Sequence, residues 1–180
     1  GGIAVDSSGN AFVTGGFSET TIFGSTVLMS SGDRDIFVAK ISSNGIWQWA
    51  VSTGGSQEDE GNGVTVDSSG SAFITGYFTE TVTFGSTTLT SSGKDDIFVA
   101  KISSSGIWQW AVKAGGSGAD EGWGIAVDSS SNAYVFGVFT KNATFGSTIL
   151  EQDFVYSGGG YTHYDHFVAK FLGPDVDGDG

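Results

Sequence analysis

One segment of this chain occurs three times at a constant spacing, and this repetition limits the folds that the chain can adopt. Residues 2–8 (GIAVDSS) return as 63–69 (GVTVDSS) and again as 124–130 (GIAVDSS), so successive copies begin 61 residues apart. Such self-similarity is the signature of repeat architectures, in which each copy is one structural unit. We therefore divide the chain into three units, 2–62, 63–123 and 124–172, followed by an acidic segment, 173–180.

Within each unit the sequence predicts short β-strands. Gly numbers 30 and charged residues make up only 15%, and no long stretch has apolar residues at helical spacing. In the first copy, apolar segments at 3–5, 11–14, 36–41 and 46–51 are separated by turns rich in Gly, Ser and Asn. The segment 18–35 between the second and third strands predicts an additional hairpin. Four strands joined by tight turns are the unit of a β-propeller blade.

The apolar pattern of the third and fourth strands predicts that the sheets stack face to face. Residues 36–39 (IFVA) are apolar at consecutive positions, so both faces of this strand should be buried. Trp47, Trp49 and Val51 alternate along the next strand and are predicted to share one face that packs between blades. A platform on which a sugar stacks is the alternative interpretation of these tryptophans.

The sequence thus predicts an all-β fold of three tandem four-stranded antiparallel blades, the last one incomplete because 173–174 (GP) replaces its fourth strand. Propellers typically close with about four to eight blades. Three blades leave open faces and unpaired edges, which favour pairing with another chain. We therefore expect either further blades or self-association, a six-bladed dimer being the simplest symmetric closure.

Residues 2–15 (GIAVDSSGNAFVTG), together with 35–40 (DIFVAK), resemble the microbial β-propeller repeat family known as SBBP, and the opening GIAVD is also similar to NHL-type propeller repeats. The resemblance covers 2–172. It implies secreted or cell-surface proteins with no single activity and no catalytic residues. We therefore expect an extracellular, non-enzymatic scaffold or binding module whose ligand is a protein or a glycan.

Charge and hydropathy disfavour several other classes of partner. The formal net charge of −13 repels nucleic acid, so we expect no nucleic-acid partner. No apolar run approaches the roughly 20 residues of a membrane span, and we expect no membrane insertion. The chain begins with Gly1 rather than Met and ends in the middle of a motif, which predicts a piece of a longer or processed chain. A self-assembling filament or surface-layer subunit and, less favoured, a propeller enzyme acting on polysaccharide are the alternative functions.

The acidic segment at the end predicts a cation site. Asp175, Asp177, Asp179 and Gly180 match the first six positions of a calcium loop, D-x-D-x-D-G, in which alternate carboxylates converge on a hard cation. The match resembles the calcium loops of dockerin and thrombospondin type-3 repeats, so calcium is the expected cofactor. A flexible acidic linker is the alternative.

Acidic residues also recur between the copies. Asp59 and Glu60 in the first connection correspond to Asp120 and Glu121 in the second. Carboxylates repeated at one rim of a propeller predict binding of cations or of basic partners, whereas solvated loop charge is the alternative. Asp6, Asp67 and Asp128 are instead predicted to cap turns, because Asp side chains bond to nearby backbone N–H groups.

Overall fold

The computed structural model describes residues 1–152 and 163–172, and within these ranges the chain consists of strands and turns. All pairings between named strands are antiparallel. The prediction of an all-β fold is confirmed. No helix in the described ranges is long and apolar enough to span a bilayer.

The first blade is a four-stranded sheet in the order β1-β2-β5-β6. Its strands are β1 (Gly2–Val5), β2 (Ala11–Phe17), β5 (Asp35–Ile41) and β6 (Trp47–Thr53). The predicted excursion between β2 and β5 forms a separate hairpin of β3 (Thr20–Phe23) and β4 (Thr26–Met29).

The second blade repeats this plan and the third shortens it. The second sheet contains β7 (Glu60–Val66), β8 (Ala72–Phe78), β11 (Asp96–Ile102) and β12 (Trp108–Gly116), with a hairpin of β9 (Thr81–Phe84) and β10 (Thr87–Thr90). The third sheet has β13 (Glu121–Val127), β14 (Ala133–Phe139) and β17 (Asp165–Phe171). Its hairpin, β15 (Ala143–Phe145) and β16 (Thr148–Leu150), pairs with the end of β12 in the second blade. Within the described residues the third sheet has three strands, in agreement with the prediction that the last blade is incomplete.

The inner strands of successive blades lie side by side. A Cβ placed on Gly2 of β1 would lie 3.1 Å from the Cα of Gly63 in β7. A Cβ on Gly63 would in turn lie 3.3 Å from the Cα of Gly124 in β13. Glycine is needed at these positions because the backbones approach so closely. Blades that converge on their first strands, with the later strands of each sheet farther out, have the arrangement of a propeller.

The faces of neighbouring blades form two cores. The first core joins blade one to blade two and contains the buried side chains Phe12, Ile36, Val38, Ile74, Phe84 and Phe98. The second core joins blade two to blade three around Phe73, Ile97, Val99, Val135 and Phe167. Since burial of such a side chain stabilises by about 1.5–3 kcal/mol, these interfaces hold the blades together. The prediction that blades stack face to face is confirmed.

One prediction about the outer strand is wrong. Trp47 and Trp49 lie on opposite faces, because the pairing register shifts between Lys40 and Ile41 and this irregularity accommodates Gln48. Trp47 packs edge-on against Phe23 of the hairpin in its own blade. Trp49 and Val51 both pack against the first core and face the second blade, so these two residues, but not Trp47, contribute to interblade packing as predicted.

Candidate functional site

The acidic residues predicted to bind a partner lie at one rim, on the connections that lead from the outer strand of one blade to the inner strand of the next. Glu60 and Glu121 are partly exposed, whereas Asp59 and Asp120 are completely buried. This burial restricts Asp59 and Asp120 to structural bonds or to a small ligand. The binding role of the four residues stays a prediction.

Each buried Asp fastens its connection to the following blade. Asp59 accepts hydrogen bonds from the backbone N–H of Gly55 (2.6 Å) and from that of Thr79 in blade two (3.0 Å). Asp120 accepts the corresponding bonds from Gly116 (2.7 Å) and from Thr140 in blade three (3.1 Å). A carboxylate that accepts two backbone N–H groups fixes the geometry of both segments.

A second buried carboxylate accompanies each of these residues. Asp35 Oδ2 accepts a hydrogen bond from the Ser31 N–H (2.9 Å), and Asp96 Oδ2 accepts one from the Ser92 N–H (3.0 Å). In both residues Oδ1 is buried and has no hydrogen-bond partner among the described residues. A Cβ placed on Gly115 would lie 2.9 Å from both Asp96 Oδ1 and Asp120 Oδ2. The two carboxylates therefore face the same glycine.

Burial and mutual repulsion make these pairs electrostatically unusual. Burial raises the pKa of Asp59 to about 6. The negative charges of Asp35 and Glu58 also raise this pKa, whereas the backbone hydrogen bonds to Asp59 lower it. Burial likewise raises the pKa of Asp120 to about 6, and the negative charges of Asp96 and Asp95 act in the same direction. Shifts of this kind mark groups whose charge is not fully compensated by the protein.

The two junctions differ in one compensating charge. At the second junction Lys113 Nζ lies 2.9 Å from Asp96 Oδ2 and forms a salt bridge. The corresponding position at the first junction, 61 residues earlier, is Ser52. Arg34 is near the first pair but its guanidinium pairs with Glu60. Within the described ranges Asp35 has no ion-pair partner.

The remaining predicted sites have different outcomes. Asp175, Asp177 and Asp179 lie outside the described residues, so the calcium loop stays a prediction. Among the residues that the structure does describe, no group of three or more His, Cys, Asp or Glu side chains is placed to hold a metal ion.

At the opposite rim the turn caps are confirmed. Asp6 Oδ1 accepts hydrogen bonds from the N–H groups of Ser8 and Asn10, both at 2.9 Å. The side-chain hydrogen bond from Asn10 is the main reason why the pKa of Asp6 is lowered. Asp67 and Asp128 accept equivalent bonds in the other blades.

An aromatic cluster on the outward face of blade three was not predicted. The ring centroids of Trp123, Phe136 and His166 lie 5.5–6.0 Å from one another, and the Phe136 ring stacks on that of His166. Phe136 is 44% exposed and Val168 on the same face is 74% exposed. The signal in the sequence is a departure from the repeat, because Thr14 and Thr75 occupy the positions that correspond to Phe136.

Comparison with known proteins gives one informative match. No family model matches the chain. The chain is 26% identical over 194 residues to an uncharacterized WD repeat-containing protein, L264, of Acanthamoeba polyphaga mimivirus. The match covers 94% of this chain but only 13% of that relative's length. Together, the strand-only repeat and this likeness indicate a β-propeller-type repeat.

Proposed function

We propose that this chain is a non-enzymatic β-propeller module that binds a protein partner through the outward face of its third blade. The likeness to a WD repeat-containing protein supports a repeat scaffold. The observation that carries the proposal is the exposed aromatic cluster of Trp123, Phe136 and His166. Contiguous exposed apolar surface of this kind marks protein-interaction sites, and aromatic residues are enriched in the energetically dominant centres of interfaces.

The identity of residue 136 indicates that the partner differs from another copy of this blade. Between blades one and two, a Cβ on Gly61 would overlap Thr14 Oγ1, so the interface accommodates a small side chain against a glycine. The same contact joins Thr75 and Gly122 at the next interface. A phenylalanine does not fit into that space. The outward face of blade three therefore suits a surface with a different shape.

The finer parts of the proposal concern location and ring closure. The resemblance to SBBP repeats and the net charge of −13 favour an extracellular or cell-surface protein, and Asp175, Asp177 and Asp179 would add a calcium loop. Since the chain spans 13% of the relative it matches, a longer protein would supply further blades, which this proposal places against the open face of blade one.

A self-assembling structural subunit is the second candidate. In the described part of the chain β17 pairs with β14 alone, which leaves one edge of the third sheet open. Ile3 and Val5 on the outward face of blade one are 69% and 62% exposed. An open sheet edge on blade three and an exposed apolar face on blade one favour head-to-tail contacts between copies.

Photo-crosslinking in the native host separates these functions. Benzoylphenylalanine at position 136 should crosslink to a defined second polypeptide, and Val168→Lys on the same face should abolish the product. Benzoylphenylalanine at Ile107, which is 66% exposed in a turn, is the matched control and should give no such product.

The identity of the product decides between the candidates. A crosslink to a different polypeptide supports the module, and a crosslink to a second copy supports self-assembly. A crosslink to another segment of the same chain, or equal yields at positions 136 and 107, contradicts the proposed partner site. Release of reducing ends from polysaccharides by the purified protein would contradict the non-enzymatic assignment.

A further inference from the structure

We propose that Asp35 and Asp59, at the junction of blades one and two, bind one calcium ion. This inference is independent of the partner site on blade three. It also concerns different residues from the acidic segment 173–180.

The first argument is a buried oxygen that lacks a partner. Asp35 is 1% exposed, and its Oδ1 forms no hydrogen bond within the described ranges. A buried carboxylate oxygen without compensation is costly, and native proteins almost always satisfy such atoms with a hydrogen bond, a water or an ion. The free Oδ1 is the atom of Asp35 that remains after Oδ2 has bound the Ser31 N–H.

The second argument is that further oxygens lie beside two adjacent glycines of the connection, Gly54 and Gly55. A Cβ on Gly54 would collide with the Asp35 carboxylate, and one on Gly55 would lie 3.7 Å from Asp59 Oδ2. The carbonyl oxygen of Thr81 in blade two lies so close to Gly55 that a Cβ on this glycine would collide with it. Carboxylate and carbonyl oxygens are the ligands that calcium prefers, and water completes its coordination shell.

The third argument comes from the second junction, where the protein supplies its own cation. Lys113 Nζ lies 2.9 Å from Asp96 Oδ2 and also contacts the Ser92 hydroxyl at 2.5 Å. Ser52 replaces this lysine at the first junction, while Ser31 and Asp35 are retained. A divalent ion at the first junction would provide the charge that Lys113 provides at the second.

The chemistry of the site limits both the ion and its affinity. The chain contains no Cys, and its two histidines, His163 and His166, belong to the third unit, so the site has only the oxygen ligands that suit a hard cation. Two carboxylates with carbonyl and water ligands correspond to weak calcium sites. We expect a dissociation constant of about 0.1–1 mM, typical of extracellular modules.

Thermal unfolding of the whole chain at pH 7.5 tests the site. Calcium at about 10 mM, compared with EDTA, should raise the Tm of the wild type by about 3–10 °C. Asp35→Asn should remove this shift without unfolding the protein, because the amide oxygen can still accept the Ser31 N–H. Ser52→Lys should also remove the shift while raising the Tm measured in EDTA. Lys113→Ser should enlarge the calcium-dependent shift, because without the ammonium group Asp96 and Asp120 can bind calcium as well.

Two further measurements localise and count the ion. The triple variant Asp175→Asn, Asp177→Asn and Asp179→Asn should retain the calcium-dependent shift, and isothermal titration of that variant should give one ion per chain. Absence of the shift in the wild type overturns the proposal, and so does a shift that persists in Asp35→Asn and Ser52→Lys. A Tm that depends on pH but not on calcium also overturns it.

Discussion

Trp49 of blade one donates its indole N–H to the carbonyl oxygen of Ser104 in blade two, at 3.0 Å. The ring also lies against Gly106, whose φ of +83° and lack of a side chain allow the turn to approach. Trp110 occupies the equivalent position in blade two and packs edge-on against Phe73 at 5.8 Å. In the described part of the chain, however, Trp110 lacks the hydrogen bond that Trp49 makes. A comparison of these two tryptophans therefore distinguishes the contribution of the hydrogen bond from that of ring packing.

Substitution of Trp49 by Phe should lower the free energy of unfolding by about 1 kcal/mol beyond the loss of ring size, because the bond to Ser104 disappears. The same substitution at Trp110 is the matched control and should cost less. Urea unfolding monitored by circular dichroism measures both. Equal losses at the two positions would show that the hydrogen bond between blades contributes nothing measurable.

Stability should fall as the pH rises from about 4 to about 6. Since Asp59 and Asp120 have a pKa of about 6 in the folded chain against about 3.9 when unfolded, the folded state holds their protons more tightly across this interval. The stabilisation that results from the raised pKa values of Asp59 and Asp120 is fully present below pH 4 and is lost as the pH passes 6. We expect each group to contribute on the order of 1–3 kcal/mol.

The measurement is urea unfolding at several pH values in EDTA. Asp6, Asp67 and Asp128, whose pKa values are lowered, act in the opposite sense but below about pH 4. Asp35→Asn should reduce the slope between pH 4 and 6, because it removes a negative charge beside Asp59. A wild type whose stability rises through this interval, or an unchanged slope in the variant, would contradict the electrostatic interpretation.

The fold could be predicted from the sequence because the signals are local and repeat three times. Asp6 followed by residues 7–10 encodes its turn without help from the rest of the chain, and the consecutive apolar residues of β5 require burial on both faces. By contrast, the position of Trp47 depends on an irregular pairing between β5 and β6. That irregularity shifts the side chain to the other face, and alternation along one strand does not reveal it.

The candidate site was predictable only in part. The repeat identifies Asp59 and Asp120 as equivalent, but acidic residues in a glycine-rich connection are usually solvated. In the structure each connection lies against the following blade, where the N–H groups of Thr79 and Thr140 bond to these carboxylates, and this long-range contact is not visible in the sequence. The cluster around Phe136 was visible as a change from Thr75, yet its exposure depends on which face of the last blade is left uncovered.

The convergence of the three inner strands is tested most directly by nuclear Overhauser effects between glycine α-protons in the isotope-labelled chain. Since a Cβ on Gly2 would lie 3.1 Å from the Gly63 Cα, and one on Gly63 would lie 3.3 Å from the Gly124 Cα, protons at these positions are in close contact. We predict cross-peaks between Gly2 and Gly63 and between Gly63 and Gly124. Cross-peaks confined to each 61-residue copy would contradict the stacking of three blades around a common axis.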